Sequence, residues 1–217
     1  MNNYYFNIFF TFFCLITLTN GSNFIDGLNG NSVGYFILII FSILLLSENY
    51  QIPNKFELKI LLFVLISLFI LNQLNYLYLG DNGAYLIGLF FGIYLISIHQ
   101  NNNLISPYYI ILLFWYPCFE NLFSIIRKKV AGKSALNPDN DHLHQMLYFY
   151  VSKKIRKSKI ASNNLSSIIL LSYNFFIFLI ASQVANKTNF QLFLIFINIS
   201  LYILFYYLLK KFRISFG

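Results

Sequence analysis

The chain has 217 residues, of which 58% are hydrophobic and 10% charged, and its formal net charge is +8. Soluble domains carry about a quarter charged residues, so this composition excludes an ordinary water-soluble globular protein. The basic excess does not indicate nucleic-acid binding, because the lysines and arginines flank apolar stretches and do not belong to a soluble, aromatic-interleaved module. The sequence therefore predicts a membrane protein.

Seven apolar stretches are candidate membrane spans, since a spanning helix needs about 20 mostly apolar residues. In chain order they cover residues 4–19, 33–47, 60–79, 84–98, 107–126, 165–184 and 190–209. The first is interpreted as a retained span, because Met1 to Phe6 contain no Lys or Arg, whereas a secretory signal begins with a basic region. We predict an all-α, polytopic transmembrane bundle of about seven spans that forms a single domain over residues 1–217.

The lysines and arginines are divided unevenly between the two sides of this predicted bundle. Nine lie between the fifth and sixth stretches and three follow the seventh, whereas only Lys55, Lys59 and Lys187 fall on the other side. Because basic loops remain in the cytoplasm, we expect the C-terminus inside and the N-terminus outside, in the inner (cytoplasmic) membrane. The loops at about 20–32, 79–83 and 127–163 are then cytoplasmic, and the basic run at 153–159 favours contact with anionic lipid headgroups.

Two short polar segments interrupt the apolar pattern on the predicted cytoplasmic side. The first holds Asn23 and Asp26, which one helical turn would place on the same face; a tight turn is the plainer interpretation. The second places Asp81 between Gly80 and Gly83 at the start of a span, where a helix N-cap would explain it. A carboxylate between glycines that admit a bulky ligand would also suit Mg²⁺, which prefers carboxylate oxygens together with ligand phosphates.

The third polar segment follows Arg127 and carries Lys133, His142 and His144. These residue types donate to phosphate oxygens, which favours phosphate recognition over zinc, since zinc needs three or four ligands and both cysteines lie in apolar stretches. A solvated loop with incidental histidines is the alternative. Glu120, late in the fifth stretch, is a functional candidate because intramembrane acids are costly; reaching the membrane interface or pairing with Arg127 is the alternative.

In this order, the three segments together resemble the motifs of the polyprenyl-phosphate N-acetylhexosamine-1-phosphate transferase superfamily, glycosyltransferase family 4. Residues 23–30 resemble its Asn-x-x-Asp-Gly-x-Asp-Gly motif, with Asn29 in place of the second Asp. Residues 80–84 resemble its Gly-Asp-x-Gly-Ser motif, with Ala84 in place of Ser. Residues 138–145 resemble its Pro-Asp-x-x-His-Leu-His-His motif, with Gln145 in place of the last His, and residues 117–127 resemble the acidic span end and arginine before it.

The resemblance implies transfer of N-acetylhexosamine-1-phosphate from a UDP-sugar to undecaprenyl phosphate or another polyprenyl phosphate. The lipid phosphate would attack the β-phosphorus of the donor and release UMP, in the first membrane step of surface-polysaccharide or teichoic-acid synthesis. The branch that uses UDP-muramoyl-pentapeptide ranks second, because its His-rich segment differs. The resemblance implies Asp26 and Asp81 as catalytic residues, with Asp81 as a ligand of Mg²⁺ or, alternatively, Mn²⁺. The substrate-binding residues would be Asn23, Arg127, Lys133, His142 and His144.

The resemblance covers only the C-terminal part of the family. Its members have several spans before the first motif, with an Asp-Asp pair among them, but no adjacent Asp-Asp occurs in this sequence. We therefore expect an N-terminally truncated enzyme. The alternatives are a non-catalytic remnant or one half of a split transferase that a partner chain completes. A membrane transporter with Asp81 and Glu120 as ion relays ranks below these, because the sequence has no repeated topology and no paired helix interruptions.

Overall fold

The computed structural model describes residues 4–132, 134, 140–155 and 158–216. It is 83% helix and has no strand among those residues, which confirms the all-α prediction. In chain order the helices are α1 (Tyr4–Phe24), α2 (Asn31–Leu46), α3 (Lys55–Gln73), α4 (Gly80–Asn101), α5 (Pro107–Leu113), α6 (Trp115–Val130), α7 (Leu143–Ile155), α8 (Lys159–Gln183) and α9 (Thr188–Phe216), with a 3-10 turn at Ile25–Gly27 after α1.

Five of these helices, α1, α3, α4, α8 and α9, are long and apolar enough to cross a membrane. The bent pair α5 and α6 makes six if it counts as one span, where the sequence predicted about seven. The remaining stretch is α2, whose 16 residues extend only about 24 Å, less than the roughly 30 Å of a bilayer core. Most residues of α2 are buried, so this helix belongs to the interior of the bundle.

The lipid-compatible surface is visible in the exposure of large apolar side chains. Phe63 of α3 is 73% exposed and Phe196 of α9 is 70% exposed. Side chains of this size are normally buried in soluble proteins, whereas hydrocarbon solvates them. The exposed apolar surface and the long apolar helices together indicate a multi-pass membrane protein.

The third predicted stretch, residues 60–79, differs from the observed helix. α3 begins at Lys55 and ends at Gln73, and the chain then turns through Asn75, which has a left-handed φ of 60°. The amides of Asn72, Gln73 and Asn75 all form hydrogen bonds to other segments. The helix therefore ends where its side chains become polar.

α4 approaches α1 closely through two glycines that lie one turn apart. A Cβ atom on Gly88 would lie 2.6 Å from Oγ of Ser22, and one on Gly92 would lie 2.6 Å from the side chain of Leu15. Small residues spaced by four let membrane helices pack at short range. This contact holds the start of α4 beside the end of α1.

The predicted span at 107–126 is two helices, α5 and α6, which meet at 70°. Pro117 explains the break, because proline has no N–H and its ring clashes with the carbonyl four residues earlier. That carbonyl belongs to Leu113, and it accepts a 2.9 Å hydrogen bond from the hydroxyl of Tyr35 in α2. A side chain of the central helix thus satisfies the backbone group that the proline leaves without its usual donor.

The helix ends collect in two groups, and we call the first the polar end. It comprises residues 22–31, 72–85, 120–132, 140–145, 158–164 and 213. Within it, Nδ2 of Asn29 donates to Oδ1 of Asn75 at 2.8 Å and to Oδ1 of Asn164 at 3.0 Å. These bonds join the loop after α1 to the end of α3 and the start of α8.

The second group, the far end, comprises residues 47–54, 94–106 and 182–188. The hydroxyl of Tyr94 donates to the carbonyl of Pro53 at 2.6 Å, and the backbone N–H of Ser106 donates to the carbonyl of Ala185 at 3.0 Å. The predicted outer lysines, Lys55, Lys59 and Lys187, border this end. Which end faces the cytoplasm stays a prediction.

Candidate functional site

The first and second polar segments meet at the polar end. Nδ2 of Asn23 donates to the hydroxyl of Tyr85 at 3.2 Å, which ties the end of α1 to α4 one turn after Asp81. Asp26 is partly buried and Asp81 is exposed, and the two carboxylates lie close enough for their charges to repel each other. The structure therefore brings Asn23, Asp26 and Asp81 into one cluster.

The N-cap interpretation of Asp81 is wrong. The N-cap position of α4 is Leu79, which makes no side-chain capping bond, and Asp81 lies inside the first turn. A carboxylate there interacts favourably with the helix dipole but does not cap the helix. Gly80 has a φ of 70°, a left-handed conformation that glycine adopts without steric cost, and it turns the chain into α4.

A polar cleft of about 310 Å³ opens beside Asp26. Its lining is Asp26, Gly27, Leu28, Asn29, Asn72, Asn75, Tyr78 and Asn163. Neutral amides dominate this lining, and they bond to one another or to backbone, as in the 2.6 Å bond from the N–H of Gly30 to Oδ1 of Asn72. The cleft therefore offers neutral donors and acceptors next to one carboxylate. Sequence reasoning missed Asn72 and Asn75, although amides in an apolar stretch were a visible signal.

Glu120 and His142 form a buried pair. Nδ1 of His142 lies 2.9 Å from Oε1 of Glu120, and the backbone N–H of Leu143 donates to the same oxygen at 3.4 Å. Since a carboxylate can only accept, Nδ1 carries the proton of this hydrogen bond. Glu120 thus pairs with His142 and not with Arg127, and it fixes the plane of the histidine ring.

His144 is buried, with 1% of its surface exposed. Neither ring nitrogen has a hydrogen-bond partner among the residues that the structure describes. Burial lowers the pKa of His144 to about 4, so the ring is neutral near pH 7. A Cβ atom on Gly27 would overlap Nε2 of His144, so the glycine of the first motif leaves room for a histidine of the third.

Arg127 and Asp141 form an ion pair, with Nη1 of Arg127 3.2 Å from Oδ2 of Asp141. Nη2 of Arg127 also donates to Oγ of Ser124 at 3.3 Å. Sequence reasoning did not select Asp141, although its place beside His142 in the third motif was a visible signal. Lys133, with residues 135–139 of the same segment, lies outside the described residues, so its predicted role stays a prediction.

The donor set fits magnesium better than zinc. Among the described residues, no group of three or more His, Cys, Asp or Glu side chains could hold a metal ion, so the part of the chain in view has no zinc site. Mg²⁺ is usually bound by one or two carboxylates together with substrate phosphates and waters. Asp26 and Asp81 provide two carboxylates whose mutual repulsion a divalent cation would relieve.

Comparisons with known proteins agree with the motif resemblance. The sequence model of glycosyl transferase family 4 matches residues 1–99, which include the first two polar segments. A decaprenyl-phosphate N-acetylglucosaminephosphotransferase of Mycolicibacterium smegmatis is 27% identical over 163 residues, covering 65% of this chain. A probable undecaprenyl-phosphate N-acetylglucosaminyl 1-phosphate transferase of Bacillus subtilis is 26% identical over 136 residues, covering 61% of this chain.

The extent of these matches is limited. The alignments cover 40% of the Mycolicibacterium protein and 38% of the Bacillus protein, so the chain spans less than half the length of these relatives. No solved structure is significantly similar to it. The family match and the relatives nevertheless confirm the resemblance that the motifs indicated, to the polyprenyl-phosphate N-acetylhexosamine-1-phosphate transferases of glycosyl transferase family 4.

Proposed function

We propose that this chain transfers N-acetylhexosamine-1-phosphate from a UDP-sugar to a polyprenyl phosphate, releasing UMP, at the cytoplasmic face of the inner membrane. The observation that carries the proposal is the convergence of three segments, distant in sequence, at one end of the bundle. Three different motifs supply Asp26, Asp81 and His144. Asp26 lies close to Asp81 and lines the polar cleft, and Gly27, which follows Asp26, contacts the ring of His144.

The substrates are proposed from the relatives. Their names specify decaprenyl or undecaprenyl phosphate as acceptor and N-acetylglucosamine phosphate as the transferred group. N-acetylglucosamine is therefore the first hexosamine to test. The synthesis of cell-wall polysaccharide, teichoic acid or lipopolysaccharide would follow from the same lipid-linked product.

The reaction brings two anionic phosphates together, so it requires charge neutralisation and in-line positioning. An oxygen of the lipid phosphate attacks the β-phosphorus of the donor, and the bond between that phosphorus and the bridging oxygen breaks. UMP leaves with the electron pair of this bond. The product is a sugar joined to the lipid through a pyrophosphate.

Asp26 and Asp81 would hold Mg²⁺, or alternatively Mn²⁺, which when bound would neutralise phosphate charge. Asn23 would place the donor beside them, held in position by Tyr85. His142, whose ring plane is fixed by Glu120, would present Nε2 to a phosphate oxygen. Arg127 would add positive charge on the same side.

The neutral ring of His144 and the amide-lined cleft suit the uncharged part of the donor. A neutral imidazole can donate from one nitrogen and accept at the other, as hydroxyl and amide groups require. The two ring nitrogens are buried without partners among the described residues, and such groups cost about 1–3 kcal/mol each when they stay unsatisfied. A bound ligand would recover that free energy.

The lipid tail would lie in an apolar groove between α1 and α4. This groove has a volume of about 680 Å³ and lies beside the Asn23–Tyr85 hydrogen bond. Its lining is Ile16, Thr19, Asn20, Tyr85, Leu86, Leu89, Phe90 and Ile93. A tail in this groove would bring its phosphate to the polar end without leaving the membrane.

The test is transfer of radiolabelled UDP-N-acetylglucosamine in membranes that contain Mg²⁺ and undecaprenyl phosphate. The variants are the chain itself, Asp81→Asn, and Glu57→Gln, which alters an exposed acid near the far end. Each is expressed alone and together with the open reading frame immediately upstream of its gene. We expect labelled lipid with the chain and with Glu57→Gln, and none with Asp81→Asn.

The two expression formats separate the remaining interpretations. Label from the chain alone would establish a self-sufficient transferase, whereas label only on co-expression would establish one half of a split enzyme. No label in either format, with donors carrying other N-acetylhexosamines also inactive, would contradict the proposed function and leave a non-catalytic remnant.

A further inference from the structure

Two arginines from different helices converge on Asp141. Nη1 of Arg127, in α6, lies 3.2 Å from Oδ2, and Nη1 of Arg213, near the end of α9, lies 3.2 Å from Oδ1. Each carboxylate oxygen thus has its own guanidinium. Arg213 lies outside residues 1–99, to which the family model is matched, and its position in sequence indicates only a topogenic charge.

Arg213 also holds the backbone in front of the histidines. Its Nη1 donates to the carbonyl of Asn140 at 2.7 Å, and its guanidinium carbon lies 5.9 Å from the ring centroid of Phe149 in α7. Asn140 and Asp141 directly precede His142, and α7 begins one residue after that histidine. The contacts of Arg213 therefore fall on both sides of the segment that carries His142 and His144.

We propose that Arg213 is a positioning residue of the candidate site, which fixes residues 140–144 against α6 through Asp141 and the carbonyl of Asn140. A topogenic role needs only positive charge, which lysine supplies equally. In the structure Nη1 donates to both Asn140 and Asp141, while the guanidinium carbon lies 5.9 Å from the ring centroid of Phe149. A rigid, planar guanidinium holds these positions together, whereas lysine carries a point charge on a flexible stem.

The size of the effect depends on the network and not on one ion pair. The side chains of Arg213 and Asp141 are 35% and 37% exposed, and an isolated pair with that exposure stabilises little. Arg127, however, is only 12% exposed, and it shares the same carboxylate. If Arg213 is removed, Asp141 keeps one partner but the carbonyl of Asn140 loses its charged donor, so we expect a local loosening and not global unfolding.

Hydrogen–deuterium exchange of the full chain in lipid nanodiscs tests this directly. Four proteins are compared: wild type, Arg213→Ala, Arg213→Lys and Lys211→Ala. Lys211 is an exposed matched control on the same helix end, and its removal changes the net charge by the same amount as Arg213→Ala. We expect amide exchange in residues 142–146 to rise about fivefold in Arg213→Ala and to stay raised in Arg213→Lys. Lys211→Ala should exchange like the wild type.

A double variant makes the test specific to the proposed contact. Asp141→Asn should raise exchange in the same residues, and its combination with Arg213→Ala should add less than the sum of the two single effects, because the residues share one interaction. Exchange in Arg213→Lys equal to that of the wild type would overturn the proposal. So would equal effects of Arg213→Ala and Lys211→Ala, since both results are expected from charge alone.

The consequence for catalysis rests on the proposed function and is measured separately. In the transfer assay, Arg213→Ala should raise the KM for UDP-N-acetylglucosamine about fivefold with a smaller change in kcat, because the histidines would bind the donor less well. A change in kcat alone would contradict a role in positioning the donor. If no protein transfers sugar, the proposed function fails, and the exchange measurement still decides the role of Arg213.

Discussion

The two ends of the bundle use polar side chains differently. At the far end, polar side chains bond to loop carbonyls: Tyr94 to Pro53, and Asn102 to Gln51 at 2.8 Å. At the polar end, side chains of different motifs meet one another, and both ring nitrogens of the buried His144 have no partner among the described residues.

This difference distinguishes polar groups that stabilise the fold from polar groups that are available to bind a ligand. Buried polar groups that only hold a fold are normally satisfied within the protein, as the hydroxyl of Tyr94 is at the far end. Groups left with bonding capacity, and acids that repel each other, destabilise the fold and are typical of ligand sites. One acid of the polar end, Glu120, is 1% exposed, whereas Glu48 and Glu57 near the far end are exposed.

The largest expected effect comes from neutralising Asp26 at the polar end, and neutralising Glu57 near the far end is its control. Asp26→Asn should lower transfer by about 10³-fold, since it removes one of two charges that would hold the cation facing the phosphates. Glu57→Gln should leave transfer unchanged. The measurement is labelled lipid formed per unit of folded protein, in the expression format that supports activity. Comparable losses of transfer in both variants would contradict the assignment of the site to the polar end.

Gly27→Ala should be the next most damaging change. The added Cβ atom would overlap Nε2 of His144, and overpacking of this kind costs about 1–3 kcal/mol. We expect a lower unfolding temperature in detergent and a transfer rate lowered about 10²-fold. The double variant Gly27→Ala/His144→Ala should recover the unfolding temperature but not the transfer. A single variant as stable as the wild type would show that the two motifs are not in contact.

His144→Leu should separate stability from activity. It replaces a buried ring with unpartnered nitrogens by an apolar side chain, so the unfolding temperature should stay equal or rise while transfer falls about tenfold or more. His99→Leu at the far end is the control, because His99 has Nδ1 3.1 Å from the carbonyl of Ile105 and should lose stability without losing transfer. A loss of stability in His144→Leu would indicate that His144 is an ordinary structural histidine.

The same histidine predicts a pH dependence of stability. Burial lowers its pKa to about 4, whereas an unfolded histidine titrates near 6.5. Between these values the unfolded state binds more protons, so the free energy of unfolding is constant above about pH 6.5 and falls by up to about 3 kcal/mol as the pH drops to 4. Thermal unfolding across this range should show that fall in the wild type and a smaller one in His144→Leu. Equal pH profiles would exclude His144 as the cause.

The smallest effect should come from Ser106→Ala at the far end. Oγ of Ser106 accepts from the backbone N–H of Tyr108 at 3.3 Å and lies 3.0 Å from Oγ1 of Thr188. Loss of such a cap costs about 1 kcal/mol, so the unfolding temperature should fall slightly. Transfer per folded molecule should stay within about twofold of the wild type. A larger loss of transfer would mean that the two ends are coupled.

Much of the fold could be predicted because hydrophobic length is a local property. Each predicted apolar stretch overlaps at least one helix of the structure, and the motif residues were selected from their order along the chain. The break at Phe114 was not predicted, although Pro117 was visible. A proline does not by itself set a bend, and here the hydroxyl of Tyr35 satisfies the carbonyl of Leu113 at the break.

The site was predicted less completely than the fold. Asp26, Asp81, His142 and His144 were selected, but their contacts were not. For Glu120 the sequence offered the membrane interface or Arg127 beside a functional role, and did not indicate its observed partner His142. The amides of Asn72 and Asn75 were not selected, because their position beside the cleft depends on the turn after α3 and on contacts with residues 29 and 30.

The sequence by itself indicated an all-α membrane protein with three segments that resemble the motifs of a sugar-phosphate transferase family, because apolar length and motif spacing are properties of the linear sequence. The tertiary structure alone decided which residues of those motifs touch. Gly88 and Gly92 bring α4 against α1, Gly27 admits the ring of His144, and Arg213 reaches Asp141 across 72 residues. Such contacts depend on helix crossings, and a crossing is fixed by the side chains of two helices together and not by either sequence segment alone.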